Sequence, residues 1–279
     1  MKRYALLILS LFLMAALSPL INEETYLRDS FDTISFVQEG SPLANSSSLV
    51  WGDVTVSDAS DTSESVVGVG TTFDSDGNYY VVGKHYTSFQ VDGQWINKTT
   101  IGTNVFLLKF FANQTLDWGI TGVSSANSWG AGVAVGPNGT IYITGTADGY
   151  VTFGSFTATS PDGMFVAKFS SSGQPLWAKT GGSGYSWCGG LDIVVDENGY
   201  AYVSGMNYLG GDYDAFVAKI DLNGNWAGYD ASNDFGGSAV DSATGITMDE
   251  QGFIYVSMTN FSLTGRSVVT VMKFNNSNL

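Results

Sequence analysis

The chain has 279 residues, of which 13% are charged, 14% are aromatic and 35 are glycine, and it carries a formal charge of −15. That acidic balance argues against a nucleic-acid partner, which needs clustered Lys and Arg. The lone Cys188 excludes an internal disulfide and any multi-cysteine zinc site, and one histidine, His85, is too few for a His-rich metal site.

Residues 1–20 have the layout of an export signal. Lys2 and Arg3 precede an apolar run from Ala5 to Leu17, nearer in length to a signal core than to a membrane span, and Ala16-Leu17-Ser18 offers small residues for cleavage. Left uncleaved, the same segment is an N-terminal anchor, and no other part of the sequence suggests membrane contact. Either way the expected location is secreted or cell surface. Residues 21–48 show no sustained period and end in Ser41-Pro42-Leu43-Ala44-Asn45-Ser46-Ser47-Ser48, the composition of a flexible linker.

Residues 49–279 are a repeat. Turn glycines recur at Gly77, Gly139, Gly199 and Gly252, each followed three residues later by a tyrosine: Tyr80, Tyr142, Tyr202 and Tyr255. Lys109, Lys168, Lys219 and Lys273 each close a later apolar strand, and Trp118, Trp177 and Trp226 follow them, with Trp51 leading the series. Successive tryptophans are 67, 59 and 49 residues apart, a period that signals propeller blades of about four short strands. Named A to D from the axis outward, strand A runs into the glycine turn, B carries the tyrosine, C ends near the lysine and D holds the tryptophan. Strand B around Ile141-Tyr142-Ile143-Thr144 is apolar or aromatic on both faces, as expected of a sheet sandwiched between neighbouring blades.

Asp196-Glu197-Asn198-Gly199-Tyr200-Ala201-Tyr202-Val203-Ser204-Gly205 followed by Asp214-Ala215-Phe216-Val217-Ala218-Lys219 resembles the SBBP family of β-propeller repeats, and so do the matching elements at 138–145 and 165–168. The first unit is looser at Phe106-Leu107-Leu108-Lys109, and the fourth lacks the phenylalanine at Thr270-Val271-Met272-Lys273. The resemblance implies a propeller, often of seven blades, in exported or surface proteins, and implies no particular reaction. Only about four blades are visible here. A lone D-type strand at Trp51 could complete the last sheet and close a four-bladed ring, which would remove its open edges. Alternatively, Phe274-Asn275-Asn276-Ser277-Asn278-Leu279 leads toward a further D strand, and the four blades belong to a larger propeller.

The spacing from turn glycine to lysine varies (32, 29, 20 and 21 residues) and so does that from tryptophan to the next turn glycine, while the other two connections hardly change. Antiparallel strands reverse at every connection, so the variable B–C and D–A loops share one face, where binding usually lives. Those loops carry His85, Tyr86, Phe89, Trp95, Trp129, Tyr150, Phe153, Tyr185, Trp187, Tyr208, Tyr213 and Phe235. The candidate ligand-binding set within them is Tyr86, Trp95, Trp129, Tyr150, Tyr185, Trp187, Tyr208 and Tyr213. Such rings could stack on a sugar or a peptide, or plug the loops against one another.

No cofactor is implied. Asp74-Ser75-Asp76-Gly77-Asn78 resembles the opening of a calcium loop, but it lacks the distal bidentate glutamate, and a β-turn asks for the same residue types. The lysines are expected to pair with acids or backbone oxygens between blades, because four separated charges cannot converge on one ligand. Ala167, Gly173 and Trp177 have the spacing of the tryptophan-docking repeats of quinoprotein dehydrogenases, although the other blades keep it poorly and those enzymes' disulfide has no counterpart. No strained Gly-x-Ser-x-Gly elbow is present, and no catalytic residue is singled out. The expectation is an exported binding or surface-display module that contacts a glycan or protein through its loop face. Its alternative is a polysaccharide hydrolase or lyase using loop carboxylates.

Overall fold

A computed structural model describes residues 66–181, 186–209, 212–231, 241–261 and 267–275, all strands, turns and short loops. The export segment, the linker and the Trp51 strand lie outside the described residues, as does Phe235. In chain order, β1 (Val66–Phe73) and β2 (Tyr79–His85) are followed by a small hairpin, β3 (Phe89–Val91) with β4 (Gln94–Ile96). Then come β5 (Asn104–Phe110) and β6 (Leu116–Thr121). The next group is β7 (Val123–Ser124), β8 (Ser128–Val135), β9 (Ile141–Phe153), β10 (Phe156–Phe169) and β11 (Pro175–Thr180). It is followed by β12 (Ser186–Val195), β13 (Ala201–Leu209), β14 (Asp212–Ile220) and β15 (Trp226–Ala231). Last come β16 (Asp241–Met248), β17 (Phe253–Phe261) and β18 (Ser267–Asn275).

Apart from the two-stranded β3–β4 hairpin, these strands form four antiparallel sheets, ordered β1-β2-β5-β6, β8-β9-β10-β11 with β7 added beside β9, β12-β13-β14-β15 and β16-β17-β18, and arranged as the blades of a four-bladed β-propeller. The strand lettering A to D expected from the repeat holds in every blade, except that the described part of blade four stops at strand C. The one helical feature among the described residues is the single 3-10 turn Pro137–Gly139.

Sandwiched packing explains why both faces of strands B and C are apolar. Tyr80, Val105 and Leu107 of blade one meet Ile141, Ile143, Phe165 and Phe169 of blade two in one core. Tyr142, Met164 and Val166 then meet Ala201, Val203, Phe216 and Ile220. Tyr202, Ala215 and Val217 meet Ile254, Val256 and Met258. Blades one to three thus each offer their tyrosine side to the blade that follows. The inner strands approach closely at matching levels, where β-bulges follow Gly68, Gly130, Gly190 and Ala243. A Cβ on Gly70 would come within 2.5 Å of the Ala131 carbonyl oxygen, and one on Gly132 within 2.8 Å of Asp192 Cα.

The recurring Tyr, Lys and Trp are direct neighbours across strands B, C and D. Tyr80 pairs with Lys109 and Lys109 with Trp118; Tyr142, Lys168 and Trp177 repeat the row. The row reaches into the next blade's C–D turn. Trp118 lies over Gly173 and Trp177 over Gly224, and a Cβ on either glycine would come within about 3 Å of the indole. Trp177 Nε1 donates to the Leu222 carbonyl (3.0 Å), while Lys109 and Lys168 reach Ser171 and Leu222 carbonyls (3.4 Å each). Lys109 also pairs with Asp117 at 2.9 Å. The structural reading of the lysines is therefore correct for these two.

Trp226 departs from the row. Lys219 pairs with Gly228, and Trp226 pairs with Ile220 across a register shift, so the indole turns back toward blade two. There its Nε1 donates to the Thr180 carbonyl at 3.1 Å. The seven-residue interval from Lys219 to Trp226, against nine in the earlier blades, is the sequence trace of that shift.

Candidate functional site

The two ends of the blades are built from different chemistry. At the A–B turn end, an aspartate closes the turn and then holds the tyrosine in blades one, three and four. Asp74 Oδ1 accepts the amides of Asp76 (3.0 Å) and Asn78 (2.9 Å), and its Oδ2 accepts from Asn78 Nδ2 (2.9 Å) and the Tyr80 hydroxyl (3.1 Å). Asp196 and Asp249 repeat the pattern, receiving the hydroxyls of Tyr202 (3.2 Å) and Tyr255 (2.9 Å). Blade two has Gly136 in that place, and Tyr142 instead donates to the Gly199 carbonyl of blade three at 3.1 Å.

Ionisation follows from these bonds. Burial pushes the Asp74 carboxyl up, but the donors from Asn78, Tyr80 and Asp76 together hold it below the usual carboxylate range. The Asn225 amide leads the groups that do the same for Asp221 in a C–D turn. Burial, then the adjacent carboxylates, raise the phenols of Tyr80 and Tyr202. With four donors on Asp74, the Asp74–Asn78 segment is a side-chain-locked β-turn, as its residue types also allowed. Among the described residues no group of three or more His, Cys, Asp or Glu is arranged to hold a metal ion.

The opposite end gathers the B–C and D–A connections. Four of the candidate rings lie there within the described residues with exposed or half-exposed faces: Tyr86, Trp129, Tyr150 and Tyr208. Half-buried Tyr213 joins them, its ring centroid 5.1 Å from that of Tyr208 in an edge-on arrangement, because the two residues are cross-strand partners on β13 and β14. Tyr86 packs under Lys84 (5.7 Å to the ring centroid), and its carbonyl accepts a hydrogen bond from Lys98. The Ser125 hydroxyl bridges the D–A loop to the Tyr150 strand, donating to the Asp148 carbonyl (2.8 Å) and accepting from the Tyr150 amide (3.1 Å). Tyr185 lies outside the described residues, and only the backbone of Trp187 is described.

Several rings of the loop inventory are core instead. His85, Phe89 and Phe153 are at most 1% exposed. The reason is that the B–C insertions fold back over their own blades. Hairpin β3–β4 lays Phe89, Val91 and Ile96 on Phe106, Leu108, Phe110 and Leu116, and its tip residue Asp92 accepts the Leu116 amide (2.6 Å) near the A–B turn end. Trp95 is 57% exposed but sits on the flank of blade one, away from the loop rim. His85 donates from Nδ1 to the Thr87 carbonyl (2.8 Å), leaving Nε2 to accept from the Thr121 hydroxyl (3.4 Å). Burial depresses its pKa, so it is a neutral structural histidine.

One acid was missed by sequence reasoning. Asp192 stands on the inner strand of blade three, where its equivalents are Gly70, Gly132 and Gly245. Its oxygens accept the amides of Ile193 (2.9 Å) and, in blade four, Ile246 (3.0 Å), and burial raises its pKa. A carboxylate breaking a glycine series was the signal that could have found it.

No protein-family model matches the chain, and no curated protein matches it. Among solved structures, the GH43 endo-arabinanase from Bacillus licheniformis aligns with a TM-score of 0.31 and 9% identity over 73% of this chain and 92% of that one. The extracellular domain of a hybrid two component system from B. thetaiotaomicron aligns with a TM-score of 0.31 and 13% identity. That alignment covers 77% of this chain but only 29% of the other.

Proposed function

We propose that the chain is an exported propeller of the SBBP repeat type that binds a glycan or a protein segment through its B–C and D–A loop face. The observation that carries this reading is the edge-on Tyr208–Tyr213 pair at the loop end of blade three, with Tyr208 in solvent. Paired rings on rigid strands present a large contact area at low entropic cost and pack well against a sugar face or an apolar side chain. Tyr86, Tyr150 and Trp129 extend that surface around the same end. The contrast with the other end supports the assignment, since the repeat tyrosines there all have their hydroxyls bonded and three of the four, Tyr80, Tyr142 and Tyr202, are buried. Export, by signal or anchor, follows from residues 1–20.

The test is a glycan and peptide array probed with the protein, alongside Tyr208→Ala and Tyr213→Ala variants of unchanged melting temperature. Binding that these variants lose supports the reading. Binding that survives both overturns it, and release of sugars from a polysaccharide substrate would favour the hydrolase or lyase alternative.

A further inference from the structure

We propose that the back face of blade four docks on the front face of blade one of a second copy, repeating between chains the junction that joins blades within the chain. Each internal junction uses one register. Val105 and Leu107 of blade one, Met164 and Val166 of blade two, and Ala215 and Val217 of blade three occupy the same strand-C positions relative to their lysines, and all are at most 3% exposed beneath the following blade. The fourth members of the series, Val269 and Val271, are 77% and 67% exposed. The strand-B neighbours agree: Tyr142 and Thr144, and Tyr202 and Ser204, are fully buried, whereas Tyr255 and Ser257 are half-exposed.

The mating half of such a junction is uncovered on blade one. Val135, Val195 and Met248 end the inner strands of blades two to four and pack into the core shared with the preceding blade. Their counterpart Phe73 is 77% exposed. Tyr79 and Val81 are half-buried where Ile141 and Ile143 are fully covered. Hairpin β3–β4 does not block this face, because blade two carries the same device in Val151, Phe153 and Ala158 and still receives blade one.

Among the described residues these two faces do not satisfy each other. Inner strands pack along one another from β1 to β8, β8 to β12 and β12 to β16, but among the described residues β16 and β1 do not. The C–D turns fit this. Gly173 and Gly224 receive an indole, whereas the equivalent position in blade one is Gln114, held at φ 73, whose Cβ would stand where that ring sits. Blade one is thus shaped for a partner that brings no tryptophan to that turn. The contact is head-to-tail, one face of each kind per copy, so copies close a ring when their rotation allows it.

Sedimentation velocity on the full chain tests this. The wild type should associate reversibly at micromolar concentration. Val271→Asp and Phe73→Asp should each weaken association at least about tenfold, with unchanged far-ultraviolet circular dichroism and melting because both side chains stand in solvent. Mixing the two variants should restore a one-to-one complex, since each keeps the face the other lost. A wild-type monomer at high micromolar concentration, single variants that associate normally, or a mixture that stays monomeric would each overturn the proposal. Association that survives both substitutions, as association through residues 1–20 would, counts against it in the same way.

Discussion

Among the described residues, tyrosines and tryptophans stand at both the turn end and the loop end of the blades but are used in opposite ways. At the turn end, Tyr80, Tyr142 and Tyr202 are buried between blades with their hydroxyls on aspartates or a carbonyl, and Lys109, Lys168 and Trp177 bridge to the next blade's turn. At the loop end, Tyr86, Tyr150 and Tyr208 keep faces in water. One end holds the blades together, and the other is free to vary. Substitution at the two ends should therefore separate stability from binding.

The largest effect belongs to Tyr142→Ala. The ring is fully buried beside Trp177, 5.9 Å between centroids, with Lys168 4.9 Å over its face. Removing it should cost roughly 3 to 5 kcal/mol, the range of buried aromatic truncations, and any loss of binding should follow from unfolding alone. A thermal melt checks this, and near-wild-type stability with abolished binding would move the site to the turn end.

A smaller cost, about 1 to 3 kcal/mol for overpacking plus left-handed strain, is expected of Gly173→Ala. Its φ is 79° and the added Cβ would come 2.9 Å from the Trp118 ring. Gly93→Ala is the control: its φ is 77°, but nothing lies within 4 Å of the added atom. Urea melts that show equal losses would mean that the indole gives way and the inter-blade dock is weak.

Acid should act on the two ends in different windows. Asp74, Asp221 and Asp249 have folded pKa values below their unfolded ones, so their contribution is full above about pH 4 and is lost as pH falls through the folded values. His85 at the loop end is also depressed. The unfolded chain takes its proton first, so stability begins to fall below about pH 6.5. Melting temperature against pH should decline in both windows, and His85→Asn should flatten only the upper one. An upper window that persists in that variant would remove His85 as its source.

Much of this architecture was legible because the same side chains recur at fixed offsets from a turn glycine. Tyr80 to Tyr255 and Lys109 to Lys273 mark strands B and C by spacing alone. Spacing misled where a bulge or a fold-back intervened. Trp226 counts as a repeat member by composition, but a two-residue shortening puts it on the opposite face. Phe89 and Phe153 look like loop aromatics until the insertions fold over their own blades, a tertiary event without a local signature. The Asp–Tyr bond at the turn end was readable in principle, since Asp74, Asp196 and Asp249 each stand six residues before a tyrosine.

The smallest change in stability, and the sharpest in function, is expected of Tyr208→Ala. Tyr208 lies near the end of β13, is exposed, and contributes an edge-on contact to Tyr213. Truncating it removes that contact and little else, so the melting temperature should shift by no more than a surface substitution, about 0.5 kcal/mol. If the loop face binds, the same change deletes one of two rings that together form the contact, and centrally placed aromatic truncations commonly cost about 2 kcal/mol or more in affinity. Trp95→Ala provides the comparison, because that ring is more exposed yet stands on the flank of blade one. The loop-face assignment requires Trp95→Ala to bind as wild type while Tyr208→Ala does not. Binding isotherms that reverse this order would put the contact surface on the hairpin, and the division of labour between the two ends of the blades would fail with it.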